Sequence, residues 1–199
     1  MEATYFKRHP FLKDTIGIIS FVSCVIVGTL LINSFVFRSF SVVGQSMEKT
    51  MYTGDRIIVN RLPVTWSQLK NIPYMPERGQ IIVFKNPKYS AGTDEEFIVK
   101  RVIAFAGERV VLSDGKYTVF NNDYPNGFNP DDENNNEPGS PTSGKTDIVV
   151  PRGELFVSGD HRQDNYSFDS RNGLGTIPLY DVVGPVGFRL FPFDKMRSF

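Results

Sequence analysis

Cysteine is almost missing from this chain: Cys24 stands alone, which excludes an internal disulfide and a cysteine-based metal centre within one copy. Histidine is nearly as scarce. His9 and His161 are the only two, one before and one far beyond a long apolar stretch, so a histidine-built zinc site is not expected. An excess of one charge sign is lacking as well, with a formal net charge of +0 and no basic run, so nothing points to nucleic acid as a partner. No internal repeat is seen. The length of 199 residues suits one folded domain, and 17 glycines and 13 prolines favour strands and turns over a helical bundle.

What the chain does have is a long uncharged run, "TIGIISFVSCVIVGTLLINSFVF", from Thr15 to Phe37. As a helix it would extend roughly 35 Å, enough to cross a bilayer. A buried core helix would show a polar face, which this run lacks. Asn33 and the serines can hydrogen-bond within the helix. A cleaved signal peptide is the competing reading, with Lys7, Arg8 and Lys13 as its basic start and Ser39 and Ser41 near its end. The apolar run exceeds the usual signal core, so a retained anchor is favoured. The basic residues precede the run and only Arg38 follows it closely, which puts residues 1–14 in the cytoplasm, 15–37 in the membrane and 38–199 outside the cytoplasm.

Beyond Arg38 the composition turns to short runs such as "RIIVNR", "GQIIVFK", "EEFIVKRVIAF", "ERVVLSDGKYTVF" and "TDIVVPRGELFVSGD". Their valine, isoleucine and aromatic content, broken by turn residues, predicts a mainly β domain, with the clearest hairpin over Glu108 to Phe120. The stretch "LPVTWSQLKNIPYMPERG" reads as a connection that packs Trp66 and Tyr74 onto the body, with a lipid-touching amphipathic surface as the alternative. Residues 125–147, "PNGFNPDDENNNEPGSPTSGKTD", carry little apolar area and read as an exposed, mobile insertion. Their acidic cluster lacks the ordered ligand spacing of a calcium loop.

The candidate chemistry begins at "SVVGQSMEKTMYTGDRIIVNR", where Ser46 needs a base to become nucleophilic. His161, oriented by Asp160 or Asp164, would complete a conventional triad, although "GDHRQDNYSFDSR" reads equally as a polar turn. A lysine base needs apolar walls that favour its neutral form, and "FIVKRVIAF" offers them. Strand alternation sends Lys100 and Arg101 to opposite faces, one inward and one toward water, and only lysine can lose its proton. A strand-edge charge or salt bridge accounts for Lys100 as well, so the residues alone leave the base open.

In order along the chain, an amino-terminal anchor, "GQSMEKTMYTGDRIIVNR", "RGQIIVFKNP", "FIVKRVIAFAGERV", "GDHRQDNYSFDSRNGLGTI" and "GPVGFRLFPF" resemble the bacterial type I signal peptidases, membrane-bound serine proteases. The resemblance spans almost the whole chain. It implies a signal-peptidase-like β catalytic domain, Ser46 as nucleophile and Lys100 as general base, with no metal or organic cofactor. It also implies secretory preproteins as partners, cut after a small-x-small ending while both molecules sit at the lipid bilayer. Ser167 would orient the lysine, Asp169 and Arg171 would form a supporting ion pair, and Asp160 and Arg162 would open the same motif. Val42, Val43 and Met47 are candidates for the substrate cleft.

Departures from the family pattern are equally specific. Where some members place an oxyanion-binding serine two residues before the nucleophile, this chain has Gly44, leaving Ser46 N–H to share the charge with another backbone donor or a water; Ser41 is a poorer substitute. Lys49 replaces the usual proline after "SMx", and the spacing from "GDHR" to "SFDSR" is longer than usual. Two other functions remain as alternatives: a regulatory Ser/Lys protease, expected to carry a recognition domain in place of the span, and a non-enzymatic membrane-tethered β scaffold.

Overall fold

The computed structural model describes residues 10–90, 95–132, 138 and 141–199. Helix α1, Pro10–Phe35, has 26 residues and extends about 39 Å at the usual rise. Its polar groups are satisfied locally: Thr15 Oγ1 donates to Phe11 O, Thr29 Oγ1 to Val25 O and Asn33 Nδ2 to Thr29 O. Its most apolar stretch, Asp14–Phe35, buries nothing against the rest of the described chain. A helix apolar on every side with no protein to cover it suits a lipid environment. The helix stops before the expected Phe37, because that residue already belongs to a strand.

The body is mainly β, in agreement with the strand-rich sequence. Its strands are β1 (Phe37–Ser41), β2 (Arg56–Asn60), β3 (Ile81–Lys85), β4 (Phe97–Phe105), β5 (Arg109–Ser113), β6 (Lys116–Phe120), β7 (Thr146–Val149), β8 (Glu154–Ser158), β9 (Ile177–Pro178), β10 (Val182–Phe191) and β11 (Arg197–Ser198). The larger sheet runs β1-β2-β10-β3-β4-β8-β9, with β11 beside β10, and the smaller runs β6-β5-β7. Every pairing is antiparallel. The β5–β6 hairpin turns at Asp114 and Gly115, both with positive φ (51° and 75°), the backbone that a two-residue reversal between twisted strands requires.

Strand β3 shows why its sequence is an unbroken apolar run. Ile82 and Phe84 enter a core with Val102, Leu155, Val157 and Ile177, while Ile81 and Val83 enter another with Met47, Met51, Ile57 and Val59. Both faces are covered, so no polar alternation survives. A third core, around Val110, Tyr117, Val119 and Phe156, joins the small sheet to β4 and β8.

The stretch read as a connection contains a helix, α2, Leu62–Leu69, with proline in its first turn and Val64 buried beneath it. Tyr74 packs against the core, but Trp66 is 61% exposed and does not. Its position opposite Val64 on a short helix turns it outward. Of the 125–147 segment, residues 133–137, 139 and 140 lie outside the described residues. The described parts are tied down: Phe128 and Val119 exchange backbone hydrogen bonds, Asp131 is buried, and Thr146 and Asp147 belong to β7.

Candidate active site

Ser46 sits on a tight turn between β1 and β2. Gly44 and Lys49 both adopt positive φ, 88° and 80°, and Met47 and Met51 anchor the turn in the core. The value at Lys49 is one that a proline ring, fixed near −65°, cannot reach. A side chain at Gly44 would meet no atom, so only the backbone conformation disfavours one there.

Strand β4 brings Lys100 across from this turn. Its Nζ donates to Ser46 Oγ at 2.7 Å and to Val99 O at 2.9 Å, and the residue is 3% exposed. Burial lowers its pKa to about 8, against the opposing pull of Asp169, Glu95 and Asp160. A cleft of about 300 Å³ opens beside the pair, with Phe40, Val42 and Val43 on one wall and Phe97, Val99 and Lys100 on the other. Met47 lies in the core beneath the turn and not in the cleft lining.

Arg101, on the opposite face of β4, does not reach water as strand alternation suggested. It is 6% exposed, with Nε and a terminal nitrogen on the Asp160 carboxylate at 2.8 and 2.6 Å and a third nitrogen on Gly79 O. Asp160 also accepts from Thr50 Oγ1 at 2.5 Å, so one carboxylate ties β4 to the Ser46 turn. The charge is buried because its partner, remote in sequence, is buried with it.

His161 takes another place. Its backbone N–H donates to Ser46 O at 3.0 Å, while its ring stacks on Tyr166 and its Nδ1 lies 3.2 Å from Gln45 O and 3.5 Å from Glu48. Among the described residues no hydrogen bond joins the ring to Ser46 Oγ, Asp160 or Asp164; Asp164 bonds through its N–H to Ser143 Oγ. Asp169 and Arg171 pair at 3.3 Å, and Asp169 also accepts from Gly159 N–H at 2.9 Å. Arg162 reaches Asp131 with two nitrogens, each at 2.8 Å, and donates from Nε to Gly159 O. Ser167 is buried with its Oγ unpartnered among the described residues, and no hydrogen bond joins it to Lys100.

The family model described as signal peptidase, peptidase S26, matches residues 13–191. The chain belongs to this signal peptidase family. Among relatives, signal peptidase I T of Bacillus subtilis (strain 168) is 33% identical over 85% of this chain and 81% of its own. Signal peptidase I P of Bacillus subtilis subsp. natto is 32% identical over 87% of each chain. A crystal structure of a signal peptidase I from Enterococcus faecalis V583 shares 25% identity, covers 56% of this chain and 96% of that one, and has a TM-score of 0.39. As a signal peptidase, the chain is a serine peptidase anchored to a membrane, and the reading of it as a non-enzymatic scaffold falls away.

Sequence reasoning missed Gly159 and Asp131. A Cβ on Gly159 would collide with Ser167 Oγ and with the Ser46 carbonyl, so glycine lets three backbone segments meet beside the nucleophile. Its place at the head of "GDHR" was the available signal. Asp131, in a segment read as exposed, carried none, because only its pairing with Arg162 distinguishes it from the acidic residues around it.

Proposed function

We propose that this peptidase removes signal peptides from secretory preproteins with Ser46 as nucleophile and Lys100 as general base. The observation that carries the reading is the 2.7 Å approach of a buried lysine amine to the Ser46 hydroxyl, within reach for direct proton transfer. Burial favours the neutral amine, whose lone pair takes the hydroxyl proton as Ser46 Oγ attacks the scissile carbonyl. The resulting ammonium gives that proton to the departing amine of the mature protein. Lys100, neutral again, then takes a proton from the water that hydrolyses the acyl-enzyme.

The oxyanion that forms during attack needs a donor, and Ser46 N–H bonds to no acceptor among the described residues. Gly44 contributes through its backbone: its positive φ of 88° shapes the turn that presents that N–H. The Asp160–Arg101 pair holds the far face of β4, Asp169, paired with Arg171, holds Gly159 N–H beside the Ser46 turn, and Ser167, which makes no bond to Lys100, packs against Gly159.

Residues before the cleaved bond lie extended between the 40–43 and 97–99 walls of the cleft, whose size suits the short side chains of a small-x-small ending. Asp14–Phe35 crosses the bilayer. Lys7, Arg8 and Lys13 hold the amino terminus in the cytoplasm, which puts the cleft on the other side, where translocated preproteins emerge.

The test uses the full chain in vesicles with a preprotein that ends its signal in a small-x-small motif. Wild type is expected to cut once after that motif, Ser46→Ala and Lys100→Ala to lose nearly all cleavage, and His161→Ala to retain it. Cleavage by Lys100→Ala together with loss in His161→Ala would replace the lysine base by histidine.

A further inference from the structure

Cleavage frees the mature chain on the far side of Ser46, and neither the dyad nor the cleft walls receive it. The cleft lining ends at Ser46 and Lys100 and includes none of Gln45, Glu48, His161 and Tyr166. A substrate that lies between the 40–43 and 97–99 walls and meets Ser46 Oγ therefore runs on across the outer flank of the Ser46 turn. The segment after Gly159 builds that flank. His161 N–H donates to Ser46 O at 3.0 Å, and the imidazole Nδ1 lies 3.2 Å from Gln45 O.

Three side chains gather there. The Tyr166 and His161 rings stack with centroids 4.4 Å apart and planes 16° from parallel, and the Glu48 carboxylate lies 3.5 Å from His161 Nδ1. The extra length between "GDHR" and "SFDSR" falls in residues 163–166 and ends at Tyr166. This loop is tied at both ends: Asp164 N–H donates to Ser143 Oγ at 2.9 Å, and Ser167 O accepts from Asn172 Nδ2 at 3.0 Å. Tyr166 is nevertheless 53% exposed, so burial repays little of the entropy lost in fixing its ring. An aromatic face fixed at the surface is a preorganised contact for a ligand.

Charge indicates which ligand. The Glu48 carboxylate accepts no hydrogen bond among the described residues, and His161 is its one ion-pair neighbour there. Lys49, the next residue of the turn, pairs with no carboxylate among the described residues, so it does not neutralise Glu48. A carboxylate beside the face of a phenol ring fits a long cationic side chain, whose stem lies on the ring while its head reaches the carboxylate.

We propose that Glu48 and Tyr166, with His161 backing the Tyr166 ring, form a subsite for the departing side of the substrate that takes a lysine or arginine among the first three residues of the mature chain. Three extended residues cover about 10 Å, the reach of this flank from Ser46. The mature chain leaves as the acyl-enzyme forms, so contacts to it change acylation and not the hydrolysis that follows. The inference rests on the reading that Ser46 attacks a preprotein held between the cleft walls, and the experiment separates the two.

The full chain in vesicles is given preproteins identical up to the small-x-small ending, with lysine, alanine or glutamate at one of the first three mature positions. Lysine at one of these positions is expected to raise kcat/KM over alanine by about 3- to 5-fold, glutamate to lower it, and added salt to shrink both differences. Hydrolysis of the acyl-enzyme is expected to run at one rate for the whole set. Glu48→Gln removes the lysine preference, Glu48→Lys reverses the order of lysine and glutamate, and Tyr166→Ala weakens the preference without reversing it. Each ratio is read within one enzyme, so a general loss of activity cancels. Equal kcat/KM for the three residues at every position, or a lysine preference that survives Glu48→Gln, overturns the subsite. A glutamate preference that disappears in Lys49→Ala assigns the flank to Lys49 and overturns it as well. A flat series with Ser46→Ala inactive overturns the subsite while the dyad stands, whereas cleavage by Ser46→Ala overturns both.

Discussion

At the scale of single residues, the decisive property is the burial of Lys100 rather than its presence. An ammonium stripped of water costs free energy, and this lowers the lysine toward about 8 even though Asp169, Glu95 and Asp160 oppose the shift. Between that value and the ordinary 10.5, the folded chain has released a proton that the unfolded chain still holds, so stability rises with pH across this window. Below it both states are protonated and the full cost remains, roughly 3 kcal/mol for this displacement. Cleavage by the wild type should therefore climb through about pH 8, and a rate independent of pH in that region would contradict a lysine base. Lys100→Met should abolish cleavage yet melt above the wild type near neutral pH, by a margin that shrinks as pH approaches 10.5. The apolar neighbours "FIV" and "VIAF" made Lys100 eligible in the sequence. They did not reveal that its amine points at Ser46, since the two residues are 54 positions apart.

At the scale of elements, β4 works as a two-faced strut. One face carries Lys100 to the nucleophile and the next residue locks the strand to Asp160, which also holds Thr50 of the Ser46 turn. Removing one partner of such a buried pair leaves an uncompensated charge, so Asp160→Ala should lower stability by about 3–5 kcal/mol, readable by denaturant unfolding. Replacing both, as Arg101→Met with Asp160→Leu, should recover much of that loss without restoring cleavage, because the packing is repaired while the tie to the turn is not. Equal stability of the single and double variants would show that the pair is not the lock. The strands themselves were legible from β-branched runs and turn residues, since those preferences are local. Helix α2 was not, because eight residues between a strand and a loop carry a weak periodic signal and its anchoring residue, Val64, is identified only by the core it enters.

For the whole molecule, the third core joins the small sheet to the large one, and a buried ion pair ties the segment between β6 and β7 to the site. Arg162, 1% exposed, links Asp131 to Gly159 O, and Gly159 in turn lies against Ser46 and Ser167. The segment around Asp131 is therefore coupled to the site through one guanidinium. Asp131→Ala should lower both the melting temperature and the cleavage rate, whereas Asp147→Ala should leave both unchanged, since the Arg109–Asp147 pair is solvent-exposed and screened. Melting and cleavage curves for the two variants side by side decide this, and equal effects would remove the proposed coupling.

The amino-acid sequence determined by itself the apolar helix long enough to span a bilayer, the β-rich body and the membership of the signal peptidase family. These follow from composition, short-range periodicity and the order of motifs, none of which needs the chain to be folded. Only the tertiary structure decided that Arg101 is buried on Asp160, that Asp131 belongs to the interior, that His161 lies against Gln45 and Glu48, and that Trp66 faces outward. Each depends on which distant residues meet, and the resulting exclusion of water sets whether a charge is neutralised, paired or left to seek a partner outside the chain.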